Sequence, residues 1–282
     1  MVKRVSFFLY GCVSYLVFLG TFLYAIAFVE GVFVPTRLDG EATGNLVTSL
    51  LVNAGLLTVF AVQHSVMARR GFKAWWRRIV PSELERSTYV LLASVALLLL
   101  FWQWRPLGGV VWHVDHPAGR GVLFAISAFG WGLVLVATFL INHFDLFGLR
   151  QSWFALRGEP YKPVSLATPW LYRLVRHPLY LGFLIAFWAA PTMTLAHLVF
   201  AVATTGYILI AIQLEERDLV AEHGAAYESY RARVPMLVPA ARPAAPAVSV
   251  SQVVSNAMNA KFLFVLLAPT AAVIALELLR RA

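Results

Sequence analysis

The sequence predicts an all-α integral membrane protein with five or six transmembrane helices and a helical hairpin near its C-terminus. Three observations carry this. Of 282 residues, 60% are apolar and 13% charged, against about 45–50% and about 25% in a soluble domain. Mean hydropathy is +0.73. Apolar runs near the length of about 20 residues that crosses a bilayer recur along the chain, and Lys and Arg gather in alternate loops, as in proteins oriented by the positive-inside rule.

The first run, 5–29, follows Lys3 and Arg4 and has no small-residue cleavage site after it. It therefore reads as a retained span rather than a signal peptide. The single cysteine, Cys12, lies in this run, which leaves no disulfide framework and no cysteine-based metal site. Runs 44–67, 88–104 and 121–141 follow. Between them, segment 30–43 sets Arg37 against Glu30, Asp39 and Glu41, and segment 105–120 sets Arg105 and Arg120 beside Asp115. Segment 68–87 carries Arg69, Arg70, Lys73, Arg77, Arg78 and Arg86, and segment 142–178 carries Arg150, Arg157, Lys162, Arg173 and Arg176. The basic loops place the N-terminus, 68–87 and 142–178 in the cytoplasm of a multi-pass inner-membrane protein. The net charge of +9 thus belongs to loops beside a lipid bilayer, and no nucleic-acid partner is expected. Trp75/Trp76 and Trp102/Trp104 mark span ends, where aromatic belts form.

The fifth run, 179–213, is too long for one crossing. The 32 residues between Gly182 and Glu215 hold no Lys, Arg, Asp or Glu. Thirty-five helical residues would reach about 52 Å, against a hydrocarbon core of about 30 Å. Pro191 lies near the middle, where it breaks a helix. Segment 214–233 is basic again through Arg217, Arg231 and Arg233. Length, proline and charge agree on a hairpin with arms 179–192 and 195–213, so "RHPLYLG" (176–182) and "EERD" (215–218) become neighbours on the cytoplasmic face. Residues 1–239 read as one membrane domain. Residues 240–261 read as a Pro/Ala-rich linker. The apolar helix within 262–282, which contains Pro269 and Glu277, is either a last span or a surface helix.

Arg and His at a helix end are also ordinary interface anchors, and a Glu-Glu-Arg-Asp run also ends a helix in water. The fuller pattern favours a site. Arg176, His177, Pro178, Tyr180 and Gly182, then Glu215 and Glu216, then Gly224, Tyr227, Tyr230 and Pro235 match the signature of the isoprenylcysteine carboxyl methyltransferase superfamily. The stretches "FLYGCVSYLVFLGTFLYAIAFV", "FAVQHSVMAR" and "INHFDLFGLRQ" resemble bacterial methanethiol S-methyltransferases, and this likeness extends to about residue 239. The resemblance implies S-adenosylmethionine (SAM) as methyl donor, no metal, and a SAM-binding half over about 142–239. Methanethiol would be the small-molecule thiol substrate and dimethyl sulfide the product. It implies that His177, Tyr180, Glu215 and Glu216 line the cofactor site, and that Gln151, at a position often polar in the superfamily, helps to hold it. Alternative substrates are another small thiol, a prenylcysteine carboxylate or a lipid headgroup. A non-catalytic membrane protein linked to nitrogen-oxide metabolism is the reading of another class. Oligomeric state stays open.

The residue chemistry fits that cofactor. A carboxylate needs Arg, His or helix N-terminal N–H groups, and Pro178 suits a first helical position. Glu215 and Glu216 suit ammonium and ribose hydroxyls, and Tyr180 suits adenine or the sulfonium. Gly182 would leave room for close approach. Glu215 is the expected direct contact and Glu216 the ion-pair partner of Arg176 or Arg231. Tyr230 is a further candidate, and Tyr161, Lys162 and Tyr172 could close over the site.

A thiol is a weak nucleophile until it loses its proton, and polar residues in or at the ends of spans are functional suspects. "INHFDLF" offers Asn142, His143 and Asp145, with Asp145 orienting His143 if the helix ends near 143. "VQHSVMARR" offers Gln63, His64 and Ser65. His143 with Asp145 is the first expected catalytic pair, then His64. Each histidine has a competing reading as a satisfied interface residue. "WHVDHP" (112–117) is too short a set for a metal.

Overall fold

The computed structural model describes residues 1–42, 44–164 and 168–239. The expected linker 240–261 and helix 262–282 lie outside the described residues. Among the described residues, eleven helices and two short strands follow in order: α1 Val2–Glu30, α2 Leu46–Ala68, α3 Arg70–Trp76, α4 Ser82–Gln103, β1 Val110–His113, α5 Pro117–Leu140, α6 His143–Leu146, α7 Leu149–Arg157, α8 Leu171–Leu174, α9 Pro178–Trp188, β2 Thr192–Thr194, α10 Leu195–His223 and α11 Ala225–Arg233. Helices α1, α2, α4, α5 and α10 are long and apolar enough to cross a membrane, and α9 is a shorter apolar helix.

Local chemistry sets the ends. Gly31 closes α1 in the left-handed region at φ 68°, its N–H bonded to Ala27 O, a conformation that suits glycine. Asn45 opens α2 by accepting from the N–H groups of Val47 (2.9 Å) and Thr48 (3.3 Å), the usual side-chain N-cap. Helix α4 starts at Ser82, six residues before the apolar run expected at 88. Glu83 and Glu85 in its first turn favour the positive end of the helix dipole.

The fifth run folds back as expected, but with unequal arms. Helix α9 ends at Trp188, three residues before Pro191, and α10 begins at Leu195 with the Thr194 hydroxyl accepting from His197 N–H at 3.2 Å. The turn is not helical. Strand β2 pairs antiparallel with β1, with Trp112 opposite Met193, His113 opposite Thr192 and a bulge between Val110 and Trp112. "WHVDHP" therefore supplies a strand that seals the hairpin tip, and His113 Nδ1 lies 2.8 Å from Thr192 Oγ1.

The ends of the bundle differ. Around the tip, Phe28, Phe101, Trp104, Phe187 and Phe200 form an aromatic core. The basic loops share the other end, called here the basic end. There Arg69 of the α2–α3 turn meets Asp218 of α10 at 2.8 Å, and Arg86 Nε of α4 donates to Leu146 O at 2.7 Å.

Helices α5 and α9 touch backbone to backbone. A Cβ on Gly130 would lie 2.7 Å from Gly182 O and 2.7 Å from Ala186 N, and one on Gly182 would lie 2.7 Å from Gly130 O. Small residues at such crossings let membrane helices pack closely. Gly182, expected to make room for a ligand, makes room for α5. Gly182→Ala should lower the melting temperature of the detergent-purified protein. Gly206→Ala on α10, where nothing lies within 4 Å of the new methyl, should leave it equal or higher, because alanine favours a helix over glycine by about 1 kcal/mol. Equal melting of the two variants would contradict the close crossing.

Candidate functional site

The two ends of the hairpin meet at the basic end. Arg176 precedes α9 and its Nε donates to Glu216 Oε1 on α10 at 2.7 Å. His177 Nε2 lies 3.0 Å from the same oxygen. Arg231 Nη1 of α11 stands 3.9 Å from Glu216 Oε2. Glu216 is only 5% exposed, so this carboxylate needs its cations. Arg176 Nη1 also donates to Arg231 O and Val234 O, and so satisfies carbonyls at the α11 C-terminus that the helix itself leaves unpaired. The backbone closes the same corner, with Arg176 N–H donating to Pro235 O at 2.9 Å and His177 N–H to Met236 O at 3.2 Å. Pro178 occupies the first position of α9 and is fully buried.

Adjacent carboxylates thus take different jobs. Glu215, about a hundred degrees round the helix, accepts from the Tyr180 hydroxyl at 2.9 Å and stays half-buried. Tyr230 is buried, and its hydroxyl donates to Tyr172 O at 2.6 Å. Burial pushes its ionisation up, so it stays neutral and fastens α11 to α8. The Tyr172 hydroxyl donates in turn to Ala137 O on α5 at 3.4 Å.

Across from Glu215 lies a second polar group. His64 of α2 stacks on Phe60 and meets the Tyr89 hydroxyl of α4, 2.9 Å from Nε2 and 3.0 Å from Nδ1. Ser65 meets the Tyr207 hydroxyl of α10 at 3.2 Å. Glu215, Tyr207 and Tyr89 all lie within electrostatic reach of the Tyr180 hydroxyl. His64, Tyr89, Tyr180, Tyr207 and Glu215 are each half-buried, as side chains lining a cleft are.

His143 sits elsewhere in character. It is 3% exposed, stacks on Phe139 at 4.2 Å and has both ring nitrogens engaged: Nε2 with the Tyr15 hydroxyl at 2.9 Å and Nδ1 with Thr138 Oγ1 at 2.8 Å. Asp145 does not orient it. The Asp145 carboxylate turns to Arg150 at 3.0 Å and Tyr161 at 2.8 Å, because a half-buried carboxylate gains more from a guanidinium than from a neutral ring. Burial, and then that bond, push the Tyr161 hydroxyl up to about 12. Gln151 on α7 donates to Asp145 O at 3.1 Å, while its Oε1 is buried without a protein donor.

Burial holds His143 down to about 4. Between about 6.5 and about 4 the unfolded chain therefore binds a proton that the folded chain does not. Stability falls as pH drops through that window, by an amount on the order of 3 kcal/mol. His143→Phe should flatten this acid limb, read as melting temperature against pH. An unchanged limb would place the titration in another group.

Sequence reasoning missed Tyr15, Thr138, Tyr89 and Tyr207. The signal was there for Thr138 and Tyr15 as polar atoms inside apolar spans, but ten tyrosines in the chain dilute it. No protein-family profile and no solved structure matches the chain. Curated relatives do. It is 54% identical to a methanethiol S-methyltransferase of Crocosphaera subtropica, over 84% of this chain and 93% of the relative. It is 57% identical to one of Mycobacterium tuberculosis, over 84% and 98%. Mouse Nurim is 32% identical, over 62% and 70%. Agreement of this depth over nearly the whole length of the bacterial relatives matches the resemblance of the hairpin signature, and the chain belongs to the methanethiol S-methyltransferase family.

Proposed function

We propose that the protein transfers a methyl group from SAM to methanethiol, giving dimethyl sulfide, at a site built on the two ends of the α9–α10 hairpin. The observation that carries this is the hairpin closure, which presents Glu215 and Tyr180 beside the Arg176–Glu216–His177 clamp. The basic end faces the cytoplasm of the inner membrane in this reading, since that is where basic loops stay and where SAM is made.

The residues present fit the donor. SAM supplies an electrophilic methyl on a sulfonium. The first-turn N–H groups of α9 have no intrahelical acceptor and suit a carboxylate. Glu215, held by one neutral tyrosine, suits an ammonium or a ribose diol. The orphaned Gln151 Oε1 is an acceptor in want of a donor. Helices α2, α4, α9 and α10 bring apolar walls to the same place, which suits a small apolar thiol arriving from lipid and limits water around the reacting sulfur.

The clamp separates binding from folding. Glu215→Ala should weaken SAM binding at least tenfold, about 1.4 kcal/mol, by calorimetry in detergent, with the melting temperature kept. Glu216→Ala should instead destabilise the fold by about 3–5 kcal/mol, because it strands the buried Arg176 and His177. Headspace dimethyl sulfide from purified protein, SAM and methanethiol tests the reaction itself. Normal SAM binding with no dimethyl sulfide would remove the substrate assignment.

A further inference from the structure

We propose that His64 takes the proton from the thiol, and that Tyr89 is the positioning residue that keeps a lone pair on His64 free to do so. This rests on the methyl-transfer reading above. Of the histidines at the basic end, His177 is held by Glu216, which leaves His143 and His64 at the span ends to compare. His143 is sealed in an aromatic box, with a hydroxyl on each ring nitrogen, so a thiol has no route to it. His64 is half-buried, and its ring meets a single hydroxyl, that of Tyr89.

The Tyr89 oxygen lies 2.9 Å from Nε2, 3.0 Å from Nδ1 and 3.4 Å from the His64 carbonyl oxygen. A hydroxyl has one hydrogen and two lone pairs. With its hydrogen directed to the carbonyl, it accepts from whichever ring nitrogen carries N–H. The other nitrogen then keeps its lone pair. A neutral imidazole with one lone pair left in this way is a general base for a thiol at neutral pH. Arg86 on α4 and Arg69 on α2 lie within electrostatic reach of the pair, as do Tyr207 and Glu215 on α10 and Tyr180 on α9.

The step balances. The S–H bond breaks and its proton passes to the free His64 nitrogen. The sulfur electron pair forms the new C–S bond, while the methyl carbon's old bond breaks with both electrons left on the departing sulfur. The imidazolium returns its proton to water at the basic end.

The test uses the full chain in detergent with SAM and methanethiol, reading headspace dimethyl sulfide against pH and SAM binding by calorimetry. An inactive wild type would remove the methyl-transfer reading itself. With an active wild type, His64→Gln should keep SAM affinity and lose about 100-fold in kcat at neutral pH. The deficit should shrink as pH rises and thiolate forms without help. Tyr89→Phe should lose about tenfold, with the same recovery at high pH, and it keeps the ring packing if His64→Gln does not fold. A variant within threefold of wild type at neutral pH, a deficit equal at every pH, or lost SAM affinity would each overturn the assignment.

Discussion

The buried contact of Glu216 with Arg176 and His177 is the constraint on which the site depends. A carboxylate this deep has no water to stabilise it, so it draws a guanidinium and an imidazole from the start of α9 to α10. Its net contribution to stability is modest, because both partners lose hydration. Its effect is geometric. Once Glu216 is fixed on one side of α10, the neighbouring Glu215 must point to another, toward Tyr180. The same Arg176 also holds α11 through Arg231 O and Val234 O, so one guanidinium ties three helices.

The opposite end is held by different means. His197 Nδ1 lies 3.0 Å from Asp39 Oδ2, and its Nε2 lies 2.9 Å from Phe187 O. Glu30 accepts from the Ser127 hydroxyl at 2.6 Å and the Trp131 indole at 2.9 Å. Glu30, Asp39 and His197 line a cavity of about 170 Å³ at the hairpin tip. Pinned at both ends and pressed against α5 at Gly130 and Gly182, the short helix α9 has little freedom to shift relative to the carboxylates.

Most of the fold was legible in the sequence, because span length and loop charge are coarse features. The hairpin needed only arithmetic and Pro191. What was not legible depends on which neighbour arrives. Gly182 could serve a ligand or a helix, and the answer lies 2.7 Å away at Gly130 O. Asp145 could orient His143 by spacing, but Arg150 and Tyr161 are better partners. "WHVDHP" could be any loop until Thr192 offers it a strand. That Glu215 and Glu216 would part was expected from helical spacing, since neighbours on a helix cannot face one way, but spacing does not say which of them meets Arg176.

The unequal arms explain where the proposed site lies. Helix α9 has 11 residues and reaches about 16 Å, half of a hydrocarbon core of about 30 Å. The remaining depth is covered by the extended segment 189–194, whose backbone would be intolerable in lipid if unpaired. It is paired: Val114 N–H donates to Pro191 O and Leu195 N–H to Gly109 O, each at 3.0 Å, and the Trp112 indole donates to Ala190 O at 3.0 Å. Helix α10 has 29 residues, of which about 20 would cross that core. Counting from Leu195 reaches Glu215. On the proposed reading, Glu215 would stand at the boundary itself, with water beyond it for a charged donor and apolar helix behind it for a small thiol. A hairpin with two full-length arms would have carried His177 and Tyr180 out of that plane.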